Sequence, residues 1–402
     1  MRTLNHRCCI AGGGPAGVML GYQLARAGID VVILEKHADF FRDFRGDTIH
    51  PSTMEVLYEL GLLDDFFKLP HYKVDRARAM IGDELITLAD LSHLKVHAPY
   101  ITFVPQWDFL NFISEKGRQF PGFHLYMDTE VTGITEEDGC IKGITAKDND
   151  GELEIRADIV IGADGRHSIV REKAGMEFIN RGAPIDVLWF RLSKQSNDEE
   201  QLFGVINYGT MMVMIDRGDY WQCAFIIPKG DFDRIKSEGL EKFRESLVKL
   251  APFTKDRMNE ISDWDKVKLL SVRVDHLKKW HKCGLLFIGD AAHAMSPIGG
   301  VGINLAIQDA VAAANILIPI MKERTPAEDD LARLQSRRQF PTNMTQRFQV
   351  FMQDRVLIPY LHTTDPVKPP FILKMFNRFP LLRRLPARFI GIGVRAEHIK
   401  WL

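Results

Sequence analysis

The 402-residue chain is poor in cysteine and close to neutral. Its five cysteines are an odd number, two of them are adjacent, and no C-x-x-C pair occurs. This pattern argues against a disulfide framework or a zinc site, and it favours a reducing, cytoplasmic compartment. The formal net charge is −1, so no overall basic field points to nucleic acid as a partner.

Long hydrophobic runs are also scarce. We find no apolar stretch of signal-peptide length ahead of the first glycine-rich turn, near residue 12. The most apolar region, Leu305 to Met321, contains Gln308, Asp309 and Asn315. We therefore predict a buried helix rather than a membrane span, and no membrane contact is expected of this helix. Residues 366–402 are basic and proline-rich, which leaves open a helical cover over the core or a contact with a membrane surface or partner.

The order of predicted elements indicates an α/β fold with an inserted sheet. Residues 7–34 are typical of a strand, a tight turn, a helix and a second strand, which is a βαβ unit of a parallel sheet. Residues 186–228 instead predict β-strands, with a hairpin turn at Asp216–Asp219. We predict a Rossmann-like nucleotide-binding domain, an antiparallel-sheet substrate domain and a helical C-terminal segment. The predicted boundaries are 1–73, 98–181 and 269–330 for the first, 74–97 and 182–268 for the second, and 331–402 for the third.

The first motif with clear chemistry is the turn "GGGPAG" between a predicted strand and helix. Gly12 permits the tight turn, Gly14 lets a pyrophosphate approach the backbone, and Gly17 lets the helix pack closely on the strand. Glu35 follows Gly14 by 21 residues, at the end of the next strand. A carboxylate there can accept hydrogen bonds from ribose hydroxyls, so the motif predicts dinucleotide binding.

Three further segments give the chain a family resemblance. They are "RGDTIHPSTMEVLYELGL" (45–62), "GADGRHSIVR" (162–171) and "GDAAHAMSPIGGVGINLA" (289–306). In this order and spacing they resemble the motifs of the single-component flavoprotein aromatic hydroxylases, the para-hydroxybenzoate hydroxylase-like family. The resemblance implies a FAD-dependent monooxygenase. Such an enzyme uses NAD(P)H and O2 to hydroxylate an aromatic or similar electron-rich substrate through a C4a-hydroperoxyflavin.

The resemblance also assigns the two ends of FAD to different loops. Asp290 matches the residue that binds the ribityl chain, and Pro297 to Asn304 match the loop around the isoalloxazine ring. The following helix aims its N-terminal dipole at the N1–C2=O edge of that ring. His293 is expected to brace this loop, with a role as general base left open. The predicted cofactor residues are Gly12, Gly14, Pro15, Ala16, Gly17, Glu35, Lys36, Arg45, Gln106, Val131, Asp164, Asp290, Pro297, Gly300, Val301, Gly302, Ile303 and Asn304.

Some of these assignments have structural alternatives. Arg45 and Gln106 could instead have surface or capping roles, and Asp164 could brace its own turn. Pro297 is also the predicted catalytic residue.

The substrate side carries a weaker signal. We expect the pocket between the inserted sheet and the flavin ring. The predicted substrate contacts are Arg191, Tyr208, Met212, Gln222 and Ala224. Gln222 and Ala224 stand where para-hydroxybenzoate hydroxylase has an Arg and a phenol-contacting Tyr, so no charged clamp for a simple benzoate is expected there. Arg191 can bind a substrate carboxylate or form an ion pair within the protein.

Missing motifs narrow the function further. No second G-x-G-x-x-G is present, so NAD(P)H is expected to bind transiently. The W-x-W-x-I-P signature of halogenases is absent too. The alternatives left open are another flavin oxidoreductase on the same fold, such as a prenyl-chain reductase or a halogenase, and a flavin-binding protein without turnover. A homodimer is a further option, and no metal ligands are predicted.

Overall fold

The computed structural model of the chain describes residues 2–41, 47–198, 202–361, 363 and 365–402. Strands and helices are numbered in chain order. The strands are β1 (Arg2–Ala11), β2 (Val31–Leu34), β3 (Thr48–Ile49), β4 (Tyr72–Val74), β5 (Arg76–Ile81), β6 (Glu84–Asp90), β7 (Ile101–Phe103), β8 (Phe123–Tyr126), β9 (Glu130–Glu137), β10 (Cys140–Asp148), β11 (Gly151–Gly162), β12 (Phe178–Asn180), β13 (Ile185–Ser193), β14 (Leu202–Asn207), β15 (Thr210–Asp216), β16 (Tyr220–Pro228), β17 (Lys268–Leu270), β18 (Asp275–Leu277), β19 (His281–Lys282) and β20 (Leu285–Phe287). The α-helices are α1 (Pro15–Arg26), α2 (Pro51–Glu59), α3 (Leu63–Phe66), α4 (Gln106–Gly117), α5 (Ile169–Lys173), α6 (Phe232–Glu238), α7 (Leu240–Leu250), α8 (Gly302–Glu323), α9 (Glu328–Met352), α10 (Ile358–Leu361), α11 (Phe371–Arg378) and α12 (Arg384–Gly391).

A sheet with a parallel centre forms the nucleotide-binding half of the molecule. Its strand order is β19-β20-β11-β1-β2-β8, and β10 and β9 extend it by antiparallel pairing from β11. The pairs β1–β2, β1–β11, β2–β8 and β11–β20 are parallel. β2 is buried along its whole length, which explains its unbroken "VVIL" sequence. The predicted α/β fold is confirmed.

A second, seven-stranded sheet has the order β17-β13-β16-β15-β14-β5-β6. Its outer face packs under α7 and includes Phe190, Trp221 and Phe225. Its inner face, with Trp189 and Ala224, packs in a cluster shared with β7. The predicted hairpin turn at 216–219 is confirmed by the pairing of β15 with β16. This strand grouping supports the proposed substrate domain, whose boundaries remain a prediction.

The apolar helix predicted around residues 305–321 is α8. Residues Ile298–Glu323 are long and apolar enough to cross a membrane by length and composition, but 72% of their most apolar stretch is buried inside the fold. The helix lies against α1 and α9. The prediction of a buried core helix is therefore confirmed.

The C-terminal segment is helical, as predicted. Ala387 of α12 is fully buried in the inner-face cluster, and α11 is tied to β6 by the ion pair between Lys374 and Glu84. Phe371, Leu381 and Leu385 remain exposed. The segment covers one side of the seven-stranded sheet, and a partner contact through it stays a prediction.

One pair of cysteines departs from the sequence expectation. Cys140 at the start of β10 and Cys283 form a disulfide, although 143 residues separate them. The N–H of Ile141 donates to the C=O of Cys283 at 2.9 Å, so the sheet itself places the two cysteines side by side. The argument against a disulfide was wrong for this pair, because its proximity comes from topology rather than spacing. Cys8, Cys9 and Cys223 are free and buried.

Candidate functional site

The first glycine loop has the geometry expected of a pyrophosphate cradle. Gly12 has φ +105°, and a Cβ there would lie 2.4 Å from the carbonyl oxygen of Ala163. A Cβ at Gly17 would lie 2.1 Å from the carbonyl oxygen of Gly12, whereas a Cβ at Gly14 would meet nothing within 4 Å. Two glycines therefore permit close packing and the third leaves open space at the start of α1. Pro15 occupies the first turn, where its missing N–H costs no helical hydrogen bond.

Glu35 lies directly beside this loop. Its carboxylate accepts from the N–H of Gly13 at 3.0 Å and from the N–H of His37 at 3.2 Å. The N–H of Thr129 donates to the main-chain oxygen of Glu35, which brings the start of β9 and Val131 to the same place. Lys36 is exposed next to it. The residues assigned to the adenosine end of FAD thus come together.

The "GDAAH" turn meets the same helix start. A Cβ at Gly289 would lie 3.1 Å from the Cβ of Ala16, so the first and second glycine motifs are in contact range. The half-exposed Asp290 carboxylate lies 3.3 Å from the Arg166 guanidinium. Asp290 therefore stands beside the cradle, where the ribityl chain is expected to run.

The two carboxylate oxygens of Asp164 have different surroundings. Oδ2 accepts from the N–H of Val170 at 3.1 Å, and Oδ1 is buried with no hydrogen-bond partner among the described residues. Burial raises the pKa of this carboxyl, and local hydrogen bonds from Ser168 and the α5 start oppose the rise. Oδ2 therefore braces the turn, and Oδ1 is placed to accept a hydrogen bond that a cofactor hydroxyl would donate.

The second glycine loop, which we call the ring loop (residues 297–304), bends through left-handed backbone. Gly299 has φ +78° and Gly300 has φ +63°. The hydroxyl of Thr48 donates to the Gly300 carbonyl at 2.9 Å, and a Cβ at Gly300 would lie 2.4 Å from that hydroxyl. Val301 caps α8, whose first N–H groups, from Gly302 and Ile303, have no acceptor within a regular helix. This is the bare backbone surface that a flat ring requires.

The side chain of Asn304 links the ring loop to residues 48–53 by hydrogen bonds. Its amide oxygen accepts from the N–H of His50 and the hydroxyl of Thr53, both at 2.8 Å, and its amide nitrogen donates to the Thr48 carbonyl at 3.0 Å. The side chain is therefore used within the protein, so any cofactor contact by Asn304 would come from its backbone.

His293 has the contacts of a brace. It is buried, its Nε2 lies 2.5 Å from Oδ2 of Asp309, and its ring lies against Trp280. Arg338 donates to the other oxygen of Asp309 at 2.9 Å. Burial alone would raise the pKa of Asp309, but His293 and Arg338 hold it below its usual range. This buried ion-pair group anchors the helix that follows the ring loop.

The inner sheet face holds three of the five predicted substrate residues. Antiparallel partners share a face, and Arg191 pairs with Gln222 while Trp189 pairs with Ala224. Ile298 of the ring loop packs against the apolar cluster on this face. The inner face therefore lies against the part of the loop assigned to the flavin ring.

The other two predicted substrate residues, Tyr208 and Met212, lie away from this inner face. Met212 pairs with Phe225 and is fully buried on the outer face, under α7. Tyr208 stands at the turn between β14 and β15 with Lys249 of α7 over its ring. Met212 therefore lies on the face opposite the one that meets Ile298, because a single residue of register decides which sheet face a side chain occupies.

The sequence reasoning missed a buried polar group at the edge of this face. Arg217 is ion-paired with Asp47, and its Nε and Nη2 donate to Oε1 of Gln222 at 3.1 and 3.0 Å. Asp47 also accepts from the N–H of Gln106, the predicted cofactor-contacting residue at the start of α4. The only sequence signal was the unusual Arg inside the "DRGD" hairpin. Arg45, also predicted to reach the cofactor, lies outside the described residues.

The site combines two glycine loops, an acidic residue beside each loop and a helix start with open backbone. This combination is that of a FAD-binding flavoprotein. In agreement, the profile of the family described as "FAD binding domain" matches residues 5–347. The chain belongs to this family.

Named relatives narrow the class. The chain is 30% identical to the 6-methylpretetramide 4-monooxygenase of Streptomyces rimosus, over 94% of this chain and 91% of the relative. It is 27% identical to the para-nitrophenol 4-monooxygenase of Pseudomonas sp. strain WBC-3, over 78% of each. The crystal structure of p-nitrophenol 4-monooxygenase PnpA from Pseudomonas putida DLL-E4 has the same fold, with a TM-score of 0.77, 20% identity and coverage of 97% of this chain and 98% of that one. The protein is a flavoprotein monooxygenase.

Proposed function

We propose that this monooxygenase uses NAD(P)H as a transient reductant and dioxygen as co-substrate to hydroxylate an aromatic ring. The substrate would lie between the ring loop and the inner face of the seven-stranded sheet. The observation that carries the proposal is the contact of Ile298 with the apolar cluster of that face. It puts an apolar wall opposite the loop assigned to the reactive ring of FAD.

The residues of both loops fit FAD. Gly14 and the α1 start would hold the pyrophosphate, Asp290 the ribityl hydroxyls, and the α8 start would stabilise negative charge on the ring. Bound FAD supplies the redox chemistry and the activation of dioxygen. The apolar inner face, with Trp189 and Ala224, would exclude water and position the substrate ring.

The polar group at the edge of the inner face supports an oxygen-substituted substrate. Nη1 of Arg217 and Nε2 of Gln222 are buried donors without a partner among the described residues. Such donors are costly unless something accepts from them, and a phenolate or carbonyl oxygen would do so. A relative named for para-nitrophenol fits this substrate class. Since NAD(P)H is a cytosolic reductant, we retain the cytoplasm as the proposed location.

The test is NAD(P)H oxidation by the purified, flavin-loaded protein with and without a panel of phenols and larger hydroxylated aromatics. We expect at least one compound to accelerate oxidation while less peroxide forms than NAD(P)H is consumed. An Ala224→Phe variant that circular dichroism shows to be folded should lose this stimulation because its larger side chain would crowd the inner face, and Met212→Leu on the outer face should retain it. Oxidation that no compound accelerates, with peroxide formed in equal amount, contradicts the proposal.

A further inference from the structure

We propose that His6, Asp30 and His124 form a binding site for a divalent transition-metal ion of the zinc type. Among the described residues, they are the one group of three His, Cys, Asp or Glu side chains whose ligand atoms all lie within 4.8 Å of one another. The sequence predicted no metal ligands, and nothing in the flavin chemistry uses these residues. The proposal is independent of the proposed function.

The two imidazoles converge on one carboxylate. Nδ1 of His6 lies 2.8 Å from Oδ2 of Asp30, and Nε2 of His124 lies 3.0 Å from Oδ1. The two rings are 5.0 Å apart between centroids. Each carboxylate oxygen therefore faces a different ring nitrogen, which leaves the three donor groups around a common centre.

Three neighbouring strands hold the donors in place. His6 lies on β1, Asp30 immediately precedes β2, and His124 lies on β8; these strands are adjacent in the sheet. The main-chain oxygen of Asp30 accepts from the N–H of Cys8 at 3.1 Å, and His124 is in register with Val32. Donors fixed by a buried sheet are preorganised, so little ordering is needed for binding. The strands carry the cofactor loops at their other ends, so the two sites are separate.

The donor set matches the preferences of zinc. Zn²⁺ takes imidazole nitrogens at about 2.0–2.1 Å and carboxylate oxygens at about 2.0–2.2 Å, which puts tetrahedral ligand atoms about 3.4 Å apart. The two observed nitrogen–oxygen separations are 2.8 and 3.0 Å, and all three ligand atoms lie within 4.8 Å of one another, so each separation needs to change by less than about 1.5 Å. Three protein ligands leave the fourth position for water, and Asp30 and His124 are both partly open to solvent.

The local charge also permits a cation. The nearest basic residue on β1, Arg7, is ion-paired with Asp158 at 3.0 Å, and it alternates to the opposite side of the strand from His6. Among the described residues, the carboxylate of Asp30 thus meets two imidazoles and forms no ion pair with a lysine or arginine. A bound ion would join three strands of the central sheet that the backbone already pairs.

The test is isothermal titration of tag-free, chelator-treated holoenzyme with ZnCl2. We expect one ion per chain, and at least tenfold weaker binding in His6→Ala, His124→Ala and Asp30→Asn. His97→Ala is the matched control, because His97 meets the carboxylate of Glu55 but no second imidazole in the described contacts. Flavin retention and far-ultraviolet circular dichroism show whether each variant is folded.

A second measurement separates the site from adventitious binding. At free Zn²⁺ about 100-fold above Kd, the unfolding midpoint of the wild type should rise by roughly 3 °C. The rise should vanish in Asp30→Asn and persist in His97→Ala. Absence of tight Zn²⁺ binding by the folded wild type, or equal binding by the wild type and all three site variants, overturns the proposal.

Discussion

The two large sheets of this molecule form their halves of the site in different ways. The eight-stranded sheet presents backbone: the open space at Gly14, the left-handed turn at Gly299 and Gly300, and two helix starts. The seven-stranded sheet presents side chains on one face, with Arg217 and Gln222 at its edge. A site made of backbone requires glycines at fixed spacings, and these spacings can be recognised in the sequence. A site made of side chains depends on register and on partners far away in the chain.

The largest effect expected on the backbone side is that of Gly14→Val. Its side chain would fill the space where the pyrophosphate fits and would meet no protein atom within 4 Å at the Cβ position. We expect FAD affinity to fall at least 1,000-fold, about 4 kcal/mol, with the fold kept. The flavin-to-protein absorbance ratio after desalting measures this, and circular dichroism checks the fold. Gly204→Ala, in the other sheet, is the control; full flavin retention in Gly14→Val would break the comparison.

On the side-chain side, Arg217→Met should act on stability rather than on FAD. It leaves the buried carboxylate of Asp47 without its cation, which we expect to cost about 3 kcal/mol in the free energy of unfolding. Urea unfolding of the apoprotein measures the cost. The double variant Arg217→Met/Asp47→Asn should recover part of it, because the unpaired charge is gone. Strictly additive losses in the double variant would show that the two residues do not interact.

Asp290→Ala is expected to have a smaller effect on the cofactor. Removing a charged hydrogen-bond acceptor should weaken FAD binding by about 2 kcal/mol, or roughly 30-fold. Fluorescence titration of the apoprotein with FAD gives the change in Kd. Asp158→Ala, whose carboxylate pairs with Arg7 far from the loops, is the matched control. Equal losses in both variants would mean that Asp290 acts only through general stability.

The smallest effect concerns His50, whose Nδ1 donates a hydrogen bond to the Ile390 carbonyl, 2.8 Å away, and so joins the ring-loop region to the C-terminal segment. Burial lowers its pKa from 6.5 to about 4, against the effect of that hydrogen bond. As the pH falls, His50 therefore takes up a proton in the unfolded chain before it does so in the folded protein. The contribution of neutral His50 to the free energy of unfolding is present above pH 6.5 and is lost toward pH 4.

We expect His50 to account for about 2 kcal/mol of lost unfolding free energy between pH 7 and pH 5. Comparison of wild type and His50→Gln by urea unfolding at both pH values checks this. The variant should show the smaller drop. An identical pH dependence in the two proteins would show that His50 does not contribute to the loss of unfolding free energy at low pH.

These two kinds of site explain what the sequence could predict. The two glycine loops could be predicted because Gly12, Gly17 and Gly300 stand where any Cβ would clash with backbone or a neighbouring side chain. The hairpin at 216–219 was found from its turn residues. Each of these sequence patterns is local, so it can be recognised without knowledge of the tertiary fold.

The remaining features required the fold itself. Arg217 and Asp47 are 170 residues apart, and Cys140 and Cys283 are 143 apart, so no spacing rule links them. Met212 was predicted to contact the substrate, whereas its pairing with Phe225 puts it on the outer face, under α7. Alternation predicts which residues share a face but not which face meets the ring loop.

The proposed function is that of a hydroxylating flavoenzyme made by the two sheets together. Its most direct test is mass spectrometry of the product formed by the flavin-loaded protein, NAD(P)H and an accelerating aromatic compound under ¹⁸O-labelled dioxygen. We expect a hydroxylated product that carries one labelled oxygen atom from the gas. A product without the label, or turnover that yields only labelled peroxide with every compound, would contradict it.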